Sequence, residues 1–599
     1  MSAFARVVAA PQLSLSTTRS PRRNARHGLE AAALLLLLLM MMMMAPATPA
    51  RAVMPLETSP AWESTPLAHV ATGGAWADVD GDGWLDMVVA NGNDISIQHV
   101  VIYHNQGDGT LPLTPSWSSG DADYHGHLDI GDIDGDGLLD VAVAVYLGPG
   151  GFSDPGHAKV YLNDGAGAFS STPDWRSAGD FYTFSCALGD GDGDGDLDLA
   201  CATGESYNSF SDRQKIFWNE SGVLETSPSW QSDEVGYALD VTWDDVDADG
   251  DLDVAFCGID APSLLYLNAQ TTGGGIPTTA SWQNLDLPQN GNTAAFGDWN
   301  GDGYPELAVA DNDQLGGPGF FKVYANTAGV LGTTPTWNSN TGGYGSHVSW
   351  VDLDLDGDRD LGTGRWFGIA RIYENTGGNL TGTPVWSSAT NSVIENMFWG
   401  DIDNDGLQAN GVAGATGDGA RTLFRLGQAP ARSIDAVLVD GVPQPTSAYT
   451  FHLANGWVSM ATPPASGQAV EVQYTYSADL DLGVTNWDSN EGNYLFLNTS
   501  TVGVPDVAQA VKLLRAQPNP VRYTTMIRYR GAGVDRARLA VYDVSGRLVS
   551  VLHDGGLAAG LRTWEWDARD QQGARVARGT YFARLEAGGA VQVLKLVVL

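Results

Sequence analysis

Asp78-Val-Asp-Gly-Asp-Gly-Trp-Leu-Asp86 is one of seven acidic stretches that decide the reading of this chain. The others start at Asp132, Asp190, Asp245, Asp298, Asp352 and Asp401, so successive starts lie 54, 58, 55, 53, 54 and 49 residues apart. A period of that size marks a propeller or solenoid rather than scattered turns. Two further signatures keep the same beat. A Tyr/Phe-x-Asn pair ends a strand at Asn105, Asn163, Asn219, Asn268, Asn326, Asn375 and Asn498, and a Trp follows a Thr, Ser or Pro cluster at Trp62, Trp117, Trp175, Trp230, Trp282, Trp337 and Trp386. Apolar residues alternate upstream of many loops, as at Val348 and Trp350, and short apolar runs such as Met87-Val-Val-Ala90 follow them. Each loop therefore turns a β-hairpin. Trp62 precedes the first loop and no such Trp follows Asn498, so the N-terminal strand is expected to complete the last blade and close the ring.

The seventh loop begins normally at Asp401 but lacks its closing acid, because Leu407-Gln-Ala409 stands where the acid belongs. A better second half appears at Leu480-Asp481-Leu-Gly-Val484, followed by Phe496-Leu-Asn498. Residues 407–478 thus read as a small β module inserted in this hairpin, tolerated because a loop tip faces solvent. The expected organisation is a signal peptide over 1–52, a propeller over 53–406 and 479–500, the inserted module, a linker over 501–512 and a C-terminal domain over 513–599. The fold class is all-β: a seven-bladed β-propeller with calcium-loop hairpins, a small β insertion in blade 7 and an Ig-like β-sandwich.

The loops have the chemistry of a hard-cation site. Acids at positions 1, 3 and 5 place carboxylates inside a tight turn, Gly at 6 permits the bend, position 7 offers a carbonyl and an acid at 9 closes the shell. The expected ligands are Asp78, Asp80, Asp82 and Asp86 in loop 1, and Asp132, Asp134, Asp136 and Asp140 in loop 2. Loop 3 has Asp190, Asp192, Asp194 and Asp198, and loop 4 has Asp245, Asp247, Asp249 and Asp253. Loop 5 substitutes Asn300 and Glu306 alongside Asp298 and Asp302; loop 6 has Asp352, Asp354, Asp356 and Asp360. Loop 7 has Asp401, Asp403 and Asp405, with Asp481 expected to reach in across the insertion. Up to seven calcium ions are implied. An EF-hand is excluded, since loop position 12 is Val89, Val143, Cys201, Phe256, Val309, Thr363 or Val412 and never Glu.

The net charge of −40 argues against nucleic acid or anionic lipid as partner. Three cysteines, Cys186, Cys201 and Cys257, are too few for a disulfide framework and read as buried thiols. Arg22, Arg23 and Arg26 precede an apolar run from Ala31 to Ala45, and Ala50-Arg51-Ala52 offers a cleavage site. That is an export signal, and its apolar run is too short to span a bilayer. A secreted, extracellular or bacterial cell-surface protein is expected, with no membrane insertion once the signal is removed.

The acidic repeats resemble the FG-GAP/VCBS repeat proteins, whose best-known members form the integrin α-subunit propeller. The resemblance covers roughly residues 54–500 and implies calcium in the blade hairpins. Phe-Gly and Gly-Ala-Pro flanks are missing from most repeats, with Phe296-Gly297 a partial match, so integrin-type ligand binding is not carried over. Pro518-Asn-Pro520, Val541-Tyr-Asp-Val-Ser-Gly-Arg-Leu548, Trp564-Glu-Trp-Asp567, Gly579-Thr-Tyr581 and Lys595-Leu-Val-Val-Leu599 resemble the FlgD-like Ig and type IX secretion sorting domain. This resemblance implies export machinery as a partner of the C-terminal domain.

No Gly-x-Ser-x-Gly elbow, His-Glu-x-x-His or phosphate loop is present. His125-x-His127 is the most zinc-like pair, yet without a third ligand in sequence it reads as a surface or rim feature. His127 and His347 share a position five residues before their loops, where other blades have Gly73, Ser185, Asp240, Thr293 and Asn396. This ring of side chains, above all His127, Asp240, His347 and Asn396, is expected at one mouth of the propeller channel. The function expected is a non-catalytic adhesion or ligand-binding module for an extracellular glycan or protein. The alternative is a polysaccharide-degrading enzyme built on a calcium-stabilised propeller.

Overall fold

The computed structural model describes residues 54–599 apart from 66–68, 166, 168, 287–289, 314–317, 406–407, 499–513, 518–524, 532–533, 545, 558–559, 588–589 and 599. The expected signal peptide (1–52) and linker (501–512) lie outside the described residues.

The period in the sequence becomes a period of sheets. Six consecutive four-stranded antiparallel sheets run from Ala71–Ala77 through Trp386–Ser387, each with its strands in chain order and each closed by a two-residue strand that begins with the repeat Trp. A further sheet of the same plan takes Ile394–Gly400, Asp481–Asn486 and Tyr494–Phe496, and borrows its fourth strand, Trp62–Glu63, from the N-terminal end. Trp62 pairs with Leu495 and Glu63 with Tyr494, as the order of pieces in the sequence requires. Ala71–Ala77 touches Tyr124–Gly131, contacts pass in turn through Thr183–Gly189, Ala238–Asp244, Gly291–Gly297, Gly345–Val351 and Ile394–Gly400, and the last returns to the first. The first strands therefore line the axis of a closed β-propeller, which removes open sheet edges.

The repeat residues hold neighbouring blades together. Each repeat Trp packs edge-on against the aromatic of the next blade's Tyr/Phe-x-Asn, with ring centroids 5.2–5.9 Å apart and planes at 77–89° in all seven cases, the geometry that the ring quadrupole favours. The Asn follows with hydrogen bonds. Asn219 Nδ2 donates to Leu197 O of its own blade and to Ile133 O of the preceding one, at 3.1 and 2.7 Å. Asn163, Asn268, Asn326 and Asn375 repeat the stitch, and Asn105 makes it to Ile402 O, across the closure. Cys186 and Cys201 are register partners on adjacent strands, buried and free.

The inserted residues form strands of their own. Gln408–Thr416, Ala469–Ser477, Ala431–Val439 and Val442–Pro443 make one sheet, and Leu423–Arg425, Trp457–Met460 and Tyr449–His452 a second. The loop tip was expected to face solvent, but the module carried there is packed against the ring. It folds back over the acidic-loop end of the ring: Arg425 pairs with Asp244, Thr422 N donates to Gly250 O at 3.3 Å, and His452 Nε2 lies 3.0 Å from Asp129. Leu423 and Trp457 join the apolar cluster containing Trp243 and Leu252. The apolar surface of a module this small is better buried against a neighbour than within it.

The C-terminal region packs two sheets. Leu514–Gln517, Thr525–Gly531 and Gly560–Trp566 form one, and Leu548–Leu557, Val534–Asp543, Gly579–Ala587 and Ala590–Val598 the other. Ile527, Leu539, Val541, Trp566, Leu585 and Leu596 are buried in its core.

Candidate functional site

Each acidic loop is folded by its own carboxylates. The position 3 side chain accepts the position 5 N–H in all seven loops, as Asp80 does from Asp82 at 3.0 Å and Asp403 from Asp405 at 3.0 Å. Position 1 accepts the position 6 N–H, for instance Gly83 to Asp78 Oδ2 at 2.9 Å. Gly83, Gly137, Gly195, Gly250, Gly303 and Gly357 all have φ between +89° and +98°, a bend that a side chain would strain.

With one oxygen of a carboxylate fixing the turn, the other is left for a ligand. Oδ1 of Asp78, Asp132, Asp245 and Asp352 is buried without a hydrogen-bond partner. Buried, unpaired carboxylate oxygens are costly, and a cation bound there would satisfy them. Asp78, Asp80 and Asp86 bring oxygens to within 4.8 Å of one another, as do Asp132, Asp134 and Asp136; Asp190, Asp192 and Asp194; Asp245, Asp247 and Asp253; and Asp352, Asp354 and Asp356. This all-oxygen donor set suits a hard divalent ion. Burial pushes Asp78 and Asp132 up to about 6, Asp140 and Asp190 to about 7, and Asp86 and Asp360 to about 8.

The acid at position 9 has a structural duty that its spacing did not disclose. Asp198 accepts the N–H of Gly191 at 2.8 Å and of Asn219 at 2.7 Å, and Asp140 accepts those of Ile133 and Asn163, both at 2.8 Å. It ties loop, strand and Asn stitch together. Asp481 does the same for loop 7, accepting from Ile402 at 2.9 Å and Asn498 at 2.8 Å, and pairs in register with Gly400. Asp481, from beyond the insertion, thus makes in loop 7 the hydrogen bonds that the position 9 acid makes in the other loops. Asp479, which the sequence reading passed over, lies beside Asp405, Asp481 and Asp401, and burial pushes it up to about 9. Loop 5 differs: Asn300 Nδ2 donates to Glu306 Oε1 at 2.7 Å, and both oxygens of Asp298 accept backbone N–H groups.

At the shared position upstream of the loops, His127, Ser185 and Asp240 come together, buried rather than exposed at a rim. Ser185 Oγ donates to Asp240 Oδ1 at 2.6 Å, Ala294 N to Asp240 Oδ2 at 2.9 Å, and His127 Nδ1 lies 3.6 Å from Asp240 Oδ1. His127 and His347 are 4% and 9% exposed. Asn396 is half-buried, and its backbone N–H donates to Thr485 Oγ1 at 3.0 Å. His125 is buried as well, its Nδ1 2.6 Å from Asn91 O, so it is no rim residue and forms no ligand pair with His127. Glu395 was missed: fully buried, with Oε1 4.0 Å from His127 Nε2. Each first strand carries a register shift here, between Ile394 and Asn396 in this sheet, and such a bulge disrupts the regular alternation of faces. Plain alternation reads past it.

At the strand ends opposite the acidic loops, the connections carry exposed aromatics: Tyr207, Phe210 and Phe367 are 59%, 46% and 60% exposed. Gly150, Phe152, Ser153, Asn208 and Phe210 line a shallow cleft of about 410 Å³.

The FG-GAP-like repeat family matches residues 78–143, 145–201, 192–256, 245–309 and 298–363, and the FlgD Ig-like domain family matches residues 529–590. No curated protein matches the chain. Similar solved structures include the mercury-soaked crystal structure of BBS1N in complex with ARL6DN, at 10% identity and a TM-score of 0.38, covering 71% of this chain and 97% of that one. Saccharomyces cerevisiae Sqt1 is similar at 9% identity and a TM-score of 0.37, covering 72% of this chain and 95% of that one. At these TM-scores the fold rests on the strand pairing above rather than on the likeness. The chain is a β-propeller protein with five FG-GAP-like repeats over residues 78–363, followed by a FlgD Ig-like domain.

Proposed function

We propose that the protein is a calcium-stabilised extracellular or cell-surface propeller that binds a glycan or protein ligand without transforming it. The carrying observation is the contrast between its two ends. One end holds buried carboxylates whose free oxygens suit a hard cation; the other presents exposed rings around a cleft with Asn208 and Ser153. Aromatic faces stack on sugars or apolar side chains, while amide and hydroxyl groups fix orientation.

Calcium, held by the carboxylates at positions 1, 3, 5 and 9, would neutralise the loops and supply no chemistry beyond rigidity. The ligand then meets a stiff surface. The C-terminal domain, residues 513–599, engages the export machinery in this reading. Among the described residues no helix is long and apolar enough to cross a membrane.

Glycan-array binding by the full chain tests the reading, with Phe210→Ala as comparison. Binding that falls at least about tenfold in Phe210→Ala at unchanged melting temperature supports it. Release of reducing ends from an extracellular polysaccharide, or binding indifferent to the substitution, overturns it.

A further inference from the structure

The channel cluster has a composition unlike the loops. Four titratable side chains from four blades interact: His127 from Tyr124–Gly131 lies near Asp240 from Ala238–Asp244 and Glu395 from Ile394–Gly400, and His347 from Gly345–Val351 interacts electrostatically with His127 and Asp240. All four residues are at most 9% exposed. Neither ring nitrogen of His347 makes a hydrogen bond of good geometry; the ring interacts with the Met397 backbone and electrostatically with His127 and Asp240. The Met397 backbone and the Asp240 charge compensate the burial of this imidazole only in part.

We infer that His127, His347 and Asp240 form a site for one first-row divalent transition metal, zinc or a close analogue, on the propeller axis. The 3.6 Å between His127 Nδ1 and Asp240 Oδ1 is a span two ligands of one ion can occupy after small adjustment. Two imidazoles and a carboxylate select such an ion over calcium, which takes oxygen ligands. Asp240 is held for the task by Ser185 and the Ala294 amide.

Glu395 completes the arrangement from outside. Its Oε1 faces Nε2, the ring nitrogen of His127 turned away from Asp240, and its Oε2 accepts from Trp366 Nε1. A carboxylate on the far nitrogen of a ligating His fixes its tautomer and orientation. Asn292 Nδ2, 3.4 Å from Glu395 Oε1, steadies that oxygen. Three protein ligands leave a position for water, as in sites that activate a bound water or small ligand. The site is independent of the calcium reading, since none of its members lies in an acidic loop.

The test is to refold the full chain in millimolar calcium with cobalt(II) and record visible d–d absorption during titration. One equivalent with an intense visible band is expected. His347→Gln and Asp240→Asn abolish the band, Glu395→Gln weakens binding by about ten- to a hundredfold, and Asp80→Asn in loop 1 leaves it intact. Absence of the band in the unsubstituted chain overturns the site, as does a band that survives His347→Gln. Should the variants fail to fold, X-ray absorption on the unsubstituted zinc-loaded chain decides: two imidazoles in the shell support the site, and an all-oxygen shell overturns it.

Discussion

If the acidic loops hold calcium as proposed, removing it should invert the pH dependence of stability. Burial pushes Asp86 and Asp360 up to about 8, and Asp140, Asp190 and Glu306 to about 7, whereas such carboxyls titrate near about 4 in an unfolded chain. The folded values are raised, so between about pH 4 and pH 8 the metal-free fold holds more protons than the unfolded chain. Its stability is then greatest at the acid end and falls as pH rises through the window. Each proton of difference contributes a slope of about 1.4 kcal/mol per pH unit, and two such carboxyls already give about 2.7. Calcium bound there would take the place of the protons, so the loaded chain should be flat or rising over the same range. The assay is urea unfolding of resin-treated protein at intervals from about pH 5 to pH 8, with and without calcium. Calorimetric titration near pH 6.5 in two buffers of different ionisation enthalpy reads proton release directly. A metal-free midpoint that stays level or rises with pH, or calcium binding without proton release, refutes the reasoning.

Other outcomes follow from the packing. Asn219→Ala removes the bonds to Ile133 O and Leu197 O and should lower stability by about 2–4 kcal/mol in denaturant unfolding, far more than an exposed Asn. Arg425→Ala breaks the contacts with Asp244 and Asp245 O; limited proteolysis should then nick residues 417–421 faster, with the main unfolding transition little moved. Cys186, Cys201 and Cys257 are at most 3% exposed and should resist alkylation until the chain unfolds, with the mass showing three free thiols.

How much of this was readable beforehand depends on whether a feature repeats. The loop carboxylates, the Trp and Asn signatures and the closing strand at Trp62 recur at one period, so sequence alone located them. Asp481 was found because its flanks, Leu480 and Val484, copied the other repeats across the gap. Glu395 and Asn292 were not found, because each sits where its strand's register shifts and alternation assigns it the wrong face. The docking of the inserted module was invisible for a different cause: Arg425 and Asp244 meet only through tertiary folding, and neither carries a local signal of its partner. Loop 5 looked like a conservative variant, yet Asn300 turns its amide toward Glu306, a choice that residue type leaves open.

The inserted module changes how the ring would respond to tension. The ring's last sheet is a seam, joined to the N-terminal segment through Trp62 and Glu63, the bridge from Leu56 to Asn498 and the backbone bonds of Glu57, Ala61 and Ser64, and stitched across the closure by Asn105. A pull from the C-terminal side loads that seam first. The module, rooted in the same sheet but bolted to Asp129, Asp244 and Gly250, acts as a crossbar to the far side. If the Trp62 strand peels away, the seventh sheet remains tethered, so a protein pulled between a surface and a bound partner can lose its zip without springing open.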